Sequence, residues 1–231
     1  MAAPPERPIG LQFDKVEKRY GAVYALRNLT LGIQAGECVA IAGRNGSGKT
    51  TLLRVAAQLI RPSRGSVSYY GAAENQKPHI GFVAHATMVY DELTAAENLF
   101  FFARLEGVPH STERVNQLLC EVGLASRKDS LVRTFSRGMR QRVAIARALL
   151  GEPSMLLFDE PGTGLDTESS AWLTEHLRAL RDKGCTILLS LHGESELARL
   201  ATRGVRLDAG SVVADTRSGA IFKSIFVYAG G

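Results

Sequence analysis

The sequence is poor in cysteine and has no long apolar run, no internal repeat and no low-complexity stretch. Its three cysteines, Cys38, Cys120 and Cys185, are odd in number and far apart. They form neither a metal-binding cluster nor a CxxC pair, so reduced thiols in a reducing compartment are expected. No stretch approaches the ~18 apolar residues needed to cross a bilayer. The first ten residues carry Pro4, Pro5 and Pro8 and read as a loose tail, without the uninterrupted apolar stretch of a secretory signal. A cytosolic protein is expected unless a partner holds it at a membrane. Hydrophobic content of 45% and charged content of 22% are ordinary for a globular protein and exclude disorder. A length of 231 residues allows one larger domain, or a core with a sizeable insertion. The net charge of +5 suits an anionic ligand or a membrane surface, and equally a solvated Lys/Arg-rich face.

What is present is an alternation of short apolar runs and helical patterns. From Leu11 to Ala42 the runs are brief and broken by turn residues, and Val39 to Ala42 is of the buried-strand kind. A Gly-rich loop follows, then a helix from about Lys49 to Ile60, a turn over Pro62–Gly65 and a strand over Ser66–Tyr70. Thr94 and Glu97 fit a capping box at the start of a helix over 95–106, with further helices expected over 111–123 and 137–150. Met155–Phe158 and Thr186–Leu191 read as buried strands. The helix between them, over Thr167–Lys183, ends at Gly184, and a shorter helix and two weak strands finish the chain. Strand, loop, helix and further strands ending in acids imply an α/β fold with a largely parallel sheet.

Gly43-Arg44-Asn45-Gly46-Ser47-Gly48-Lys49-Thr50 matches the phosphate-loop pattern G-x-x-x-x-G-K-S/T. Its glycines let backbone amides face phosphate oxygens, Lys49 would meet the β- and γ-phosphates, and the Thr50 hydroxyl would ligate Mg²⁺. A chance match in a chain this long is roughly one in a hundred from average composition. Met155-Leu156-Leu157-Phe158-Asp159-Glu160 supplies the complementary acids. Asp159 leaves the C-terminal end of its strand, where ligands bind in open α/β sheets, and is expected to hold Mg²⁺ through water. Glu160 is placed to orient or deprotonate an attacking water.

With these motifs the chain resembles the nucleotide-binding subunit of the ABC ATPase superfamily, from about Leu11 to Asp215. The resemblance implies a P-loop NTPase core with a mostly parallel sheet, an N-terminal antiparallel β subdomain and a helical insertion over about 85–150. All of it would form one domain over residues 1–231. It implies ATP and Mg²⁺ as ligands. Nucleotide contacts would come from Tyr20 stacking on adenine and from Gly43, Asn45, Gly46, Ser47, Gly48, Lys49, Thr50 and Thr51. Thr50 and Asp159 would hold the metal. Phe135-Ser136-Arg137-Gly138-Met139 resembles the family signature, in which Ser136 and Gly138 fit the usual pattern while Arg137 and Met139 replace Gly and Gln. The signature would face ATP held by a second subunit, giving a head-to-tail dimer with a second copy or a paralogue. Gly164-Leu165-Asp166 resembles the loop linking the two sites. His192 would be the switch histidine contacting the γ-phosphate, although a lone His after a strand is more often an ordinary loop residue and only the motif order selects it.

One position departs from the pattern. The family carries Gln after the strand ending near Val83, and the equivalent here is His85 or Ala86. Residues 93–99 and 135–142 are similar to the heme-exporter ATPase of cytochrome c maturation, and the same signature variant occurs in subunits of drug and sodium exporters. The resemblance therefore implies an ATPase on the inner face of the cell membrane, working with integral membrane permease subunits, and no nucleic acid. The alternative of a repair, chromosome or translation ATPase lacks its long coiled coil or second ATPase core, and a regulatory module without catalysis would not need Glu160.

Overall fold

The structure, a computed structural model, describes residues 9–70, 79–193, 195–217 and 225–226. The tail expected over residues 1–10 lies almost wholly outside them. Strands β1 (Ile9–Tyr20) and β2 (Val23–Gln34) form a long antiparallel hairpin closed by a two-residue turn, in which Gly21 adopts φ 58°. The sequence here shows only short apolar runs. The reason lies in the bulges: Lys15 and Asn28 sit at φ 48° and 43°, and the inward residues shift phase from Phe13 to Val16 and from Leu26 to Leu29. A strict period of two is lost although each strand is continuous.

Strand β3 (Cys38–Ala42) is buried along its whole length and leads through the glycine-rich loop into α1 (Lys49–Ala56). The helix ends earlier than the periodicity implies. Gln58 takes φ 59°, and the Tyr69 hydroxyl donates to the Ala56 carbonyl at 2.8 Å, so a partner distant in sequence satisfies the helix end. That tyrosine lies on β4 (Arg64–Tyr69), which pairs antiparallel with β1 and completes a three-stranded sheet in the order β2-β1-β4. The antiparallel subdomain is thus not wholly N-terminal, since its third strand comes after α1.

The second sheet has the order β5-β6-β7-β3-β8-β9, with β5 (Ile80–Val83), β6 (Met155–Asp159), β7 (Thr186–Leu191), β8 (Arg203–Asp208) and β9 (Ser211–Thr216). All neighbours in it are parallel except β8 and β9. Alternation along the buried strands divides the core. Val39, Ile41, Leu157 and Leu188 pack with α1 and the antiparallel sheet, whereas Ala40, Leu156, Phe158 and Leu189 face the helices. Between β5 and β6 the chain forms α2 (Ala95–Glu106), α3 (Ser111–Glu121) and α4 (Arg137–Ala148). Leu99, Val115 and Leu118 of this segment join the same hydrophobic cluster as Leu156 and Leu189 of the sheet. The α4 C-terminus presses on β5 so closely that a Cβ at Gly81 would lie 2.4 Å from the Ala148 carbonyl oxygen. Helix α5 (Thr167–Asp182) links β6 to β7.

Candidate functional site

The phosphate loop leaves the centre of the parallel sheet, where β3 lies between β7 and β8. Two of its glycines are required by space and backbone together. Gly43 adopts φ 153° and a Cβ there would meet the Ser47 hydroxyl oxygen at 2.3 Å, while Gly48 adopts φ 108° with the Ala25 carbonyl oxygen 2.5 Å from its would-be Cβ. The first turn of α1 has no side-chain cap and no acidic residue, so its amides and positive dipole end are left for an anion. Among the described residues the buried Ser47 hydroxyl in the same cradle finds no hydrogen-bond partner. An uncapped helix start and an unsatisfied hydroxyl in a glycine-lined cradle fit bound phosphate.

Lys49 is 5% exposed, and its Nζ donates to the Gly43 carbonyl at 2.9 Å and more weakly to that of Arg44 at 3.4 Å. Burial lowers the affinity of this amine for its proton, and Glu160 and Asp159 act in the opposite direction. Asp159 ends β6 and is nearly buried, and its Oδ1 accepts hydrogen bonds from Thr50 Oγ1 at 3.0 Å and Ser190 Oγ at 2.8 Å. A hydroxyl and a carboxylate side by side are hard oxygen donors. Among the described residues no group of three or more His, Cys, Asp and Glu side chains gathers to cage a metal. Two protein oxygens without a cage fit Mg²⁺, which keeps several waters and binds together with substrate phosphates.

Glu160 lies where several elements meet. One carboxylate oxygen is 2.5 Å from His192 Nε2 and 4.0 Å from Lys49 Nζ, and the other is 3.6 Å from His85 Nδ1. Its backbone takes φ 56°, uncommon for a residue with a side chain, and its amide donates to Ser190 Oγ at 2.9 Å. Of the two positions aligned with the family's glutamine, His85 is the one beside the acid. An open cleft of about 450 Å³ runs from Tyr20 past Asn45, Gly46 and Thr51 to Lys49 and Glu160. Tyr20 stands half-exposed at its mouth, with Lys18 Nζ 5.4 Å from the ring centroid.

The signature segment lies apart from this cleft, and neither Ser136 nor Gly138 lines it. Ser136 caps α4, its hydroxyl accepting from the Met139 amide at 3.2 Å. A Cβ at Gly138 would stand 2.1 Å from Ser169 Oγ, so the starts of α4 and α5 are in close contact. Asp166 caps α5, accepting from the Ser169 amide at 2.7 Å. Within one chain the fold therefore brings together Tyr20, the phosphate loop, Asp159, Glu160 and His192, and leaves the signature outside this cleft. Ser190 was missed by sequence reasoning. Its signal is positional: it is in register with Asp159 on the adjacent parallel strand.

Residues 26–163 match the family model described as ABC transporter. The ABC transporter ATP-binding protein NatA of Bacillus subtilis is 40% identical, over 83% of this chain and 81% of the relative. The Nod factor export ATP-binding protein I of Cupriavidus metallidurans is 37% identical, over 89% of this chain and 70% of the relative. An ATP-binding cassette solved as a dimer in a post-hydrolysis state with ADP and Pi superposes with a TM-score of 0.79 at 28% identity, covering 90% of this chain and 98% of the other. An ATP-binding subunit of an ABC transporter gives a TM-score of 0.80 at 32% identity, covering 93% and 92%.

Proposed function

The chain belongs to the ABC transporter family, and we propose that it is the motor subunit of an exporter, a single ABC ATPase domain driving a separate membrane subunit. The protein is an ATPase. The observation that carries the catalytic assignment is the convergence of Lys49 and His192 on the carboxylate of Glu160, next to the bonded pair Thr50 and Asp159 at the C-terminal end of the parallel strands.

ATP with Mg²⁺, when bound, supplies the phosphoanhydride bond and the charge that screens it. Lys49 exchanges its carbonyl partners for the β- and γ-phosphate oxygens, and the loop amides and the start of α1 neutralise the rest. Thr50 and Asp159 would hold the cation. Glu160 orients a water in line with the γ-phosphorus and takes its proton as the bond to ADP breaks, and His192 steadies that carboxylate and reaches the γ-phosphate. Tyr20 offers its ring to the adenine. Ser136 and Gly138, outside their own chain's cleft, act on nucleotide held by a second subunit, so the working unit is an ATP-closed dimer, read as a homodimer.

A membrane partner is supported by an exposed apolar patch formed by Met88, Tyr90, Phe101 and Leu105 on and beside α2. Among the described residues no helix is long and apolar enough to cross a membrane, so spanning segments would come from a partner and the chain would sit on the inner membrane face. Export is supported by the Nod factor export relative. The narrower expectation of heme export rests on residues 93–99 and 135–142 alone, and the relatives above lend it no support. Lys49→Ala tests the catalytic assignment: ATPase activity is expected to vanish, and wild-type hydrolysis would reject the site. Affinity purification from membranes tests the rest, with co-purification of an integral membrane protein expected and recovery of the chain alone contradicting the transport role.

A further inference from the structure

We infer that Ser190 is a positioning residue for hydrolysis: one buried hydroxyl that fixes the carboxylate of Asp159 and the backbone of Glu160 relative to each other. This rests on the roles proposed for those two acids. Ser190 is fully buried on β7 between Leu189 and Leu191, and a hydroxyl there is costly unless it is paired. It is paired twice, donating to Asp159 Oδ1 at 2.8 Å and accepting from the Glu160 amide at 2.9 Å. A carboxylate only accepts and an amide N–H only donates, so the direction of the Ser190 proton is dictated by its neighbours.

The two residues it joins have opposite requirements. Asp159 must stay in the sheet and face Thr50, whereas Glu160 must leave the strand through a left-handed backbone at φ 56° to reach His192. Such a backbone persists only where its surroundings over-determine it. Ser190 supplies that constraint from the neighbouring strand, opposite Asp159 in the register. Ser190 reaches the phosphate loop only through Asp159, whose bond to Thr50 does not need the serine, so its loss should fall on turnover far more than on nucleotide affinity.

The test is steady-state ATPase kinetics on the full chain as wild type, Ser190→Ala, Ser190→Thr, Glu160→Gln and Ser190→Ala/Glu160→Gln. Ser190→Ala is expected to lower kcat about 10- to 100-fold, the range for losing a hydrogen bond to a charged group, with KM for ATP within about twofold. Ser190→Thr keeps the hydroxyl and should recover most of the rate. Once Glu160→Gln has removed the group being positioned, adding Ser190→Ala should lower the residual rate by less than about threefold. An unchanged kcat in Ser190→Ala, or equal losses in both backgrounds with KM rising in step, would overturn the inference. Wild-type turnover in Glu160→Gln would instead reject the role given to Glu160, and the inference with it.

Discussion

His85 stands where the ABC pattern has glutamine, and its Nδ1 is 3.6 Å from the Glu160 oxygen that His192 does not occupy. Imidazole nitrogen is a poor ligand for Mg²⁺, whereas an amide oxygen is a hard neutral donor that the cation accepts. His85 therefore stands beside the acid, and it would leave to water a place on Mg²⁺ that a glutamine could fill. His85→Gln is expected to lower the Mg²⁺ concentration needed for half-maximal ATPase activity and to raise the rate, with nucleotide affinity unchanged. Titrating Mg²⁺ against rate for the two proteins checks this, and superimposable curves would show that the histidine has no cost. Counting back from Leu93-Thr94 and Glu97-Asn98 points to His85, or to Ala86 with a one-residue gap. In the structure β5 ends at Val83 and the His85 imidazole lies beside Glu160.

At the scale of elements, the contact between α4 and α5 is the most exacting. Helices at Gly138 and Ser169 approach until a Cβ on the first would lie 2.1 Å from the hydroxyl oxygen and 2.8 Å from the Cβ of the second. Alanine is the better helix former by about 1 kcal/mol, yet Gly138→Ala should destabilise the protein by about 1–3 kcal/mol through overpacking. The melting temperature should fall, and Ser169→Gly in the same chain should recover part of the loss. Unchanged melting of Gly138→Ala would place the two helices farther apart. This contact was not legible in the sequence, where Gly138 reads only as part of a phosphate-facing signature. Local chemistry was legible: the capping box closes as expected, Thr94 Oγ1 accepting from the Glu97 amide at 3.1 Å and Glu97 Oε2 from the Thr94 amide at 2.8 Å. The buried runs ending at Ala42 and Asp159 also form strands as read, because an apolar run capped by glycine or acid carries its own ending. What escaped was set by distant partners, namely the early end of α1 under Tyr69, the bulged continuity of β1 and β2, and the pairing of Ser190 with Asp159.

At the scale of the whole molecule, one arginine joins the apolar patch to the strand that precedes His85. Arg147 on α4 donates to the Met88 carbonyl at 2.9 Å and to the Phe82 carbonyl at 3.1 Å, and its guanidinium lies 5.1 Å from the Phe102 ring centroid. It thus ties the patch to the end of β5, immediately before His85. The other half of each active site would come from a second subunit, because Ser136 and Gly138 do not line their own chain's cleft. The most direct measurement of that central claim is size-exclusion chromatography of Glu160→Gln with ATP. Without its general base this variant should keep ATP binding, lose turnover by about 10²–10⁴-fold, and elute as a dimer with ATP and as a monomer without it. A variant that binds ATP and stays monomeric would contradict the account.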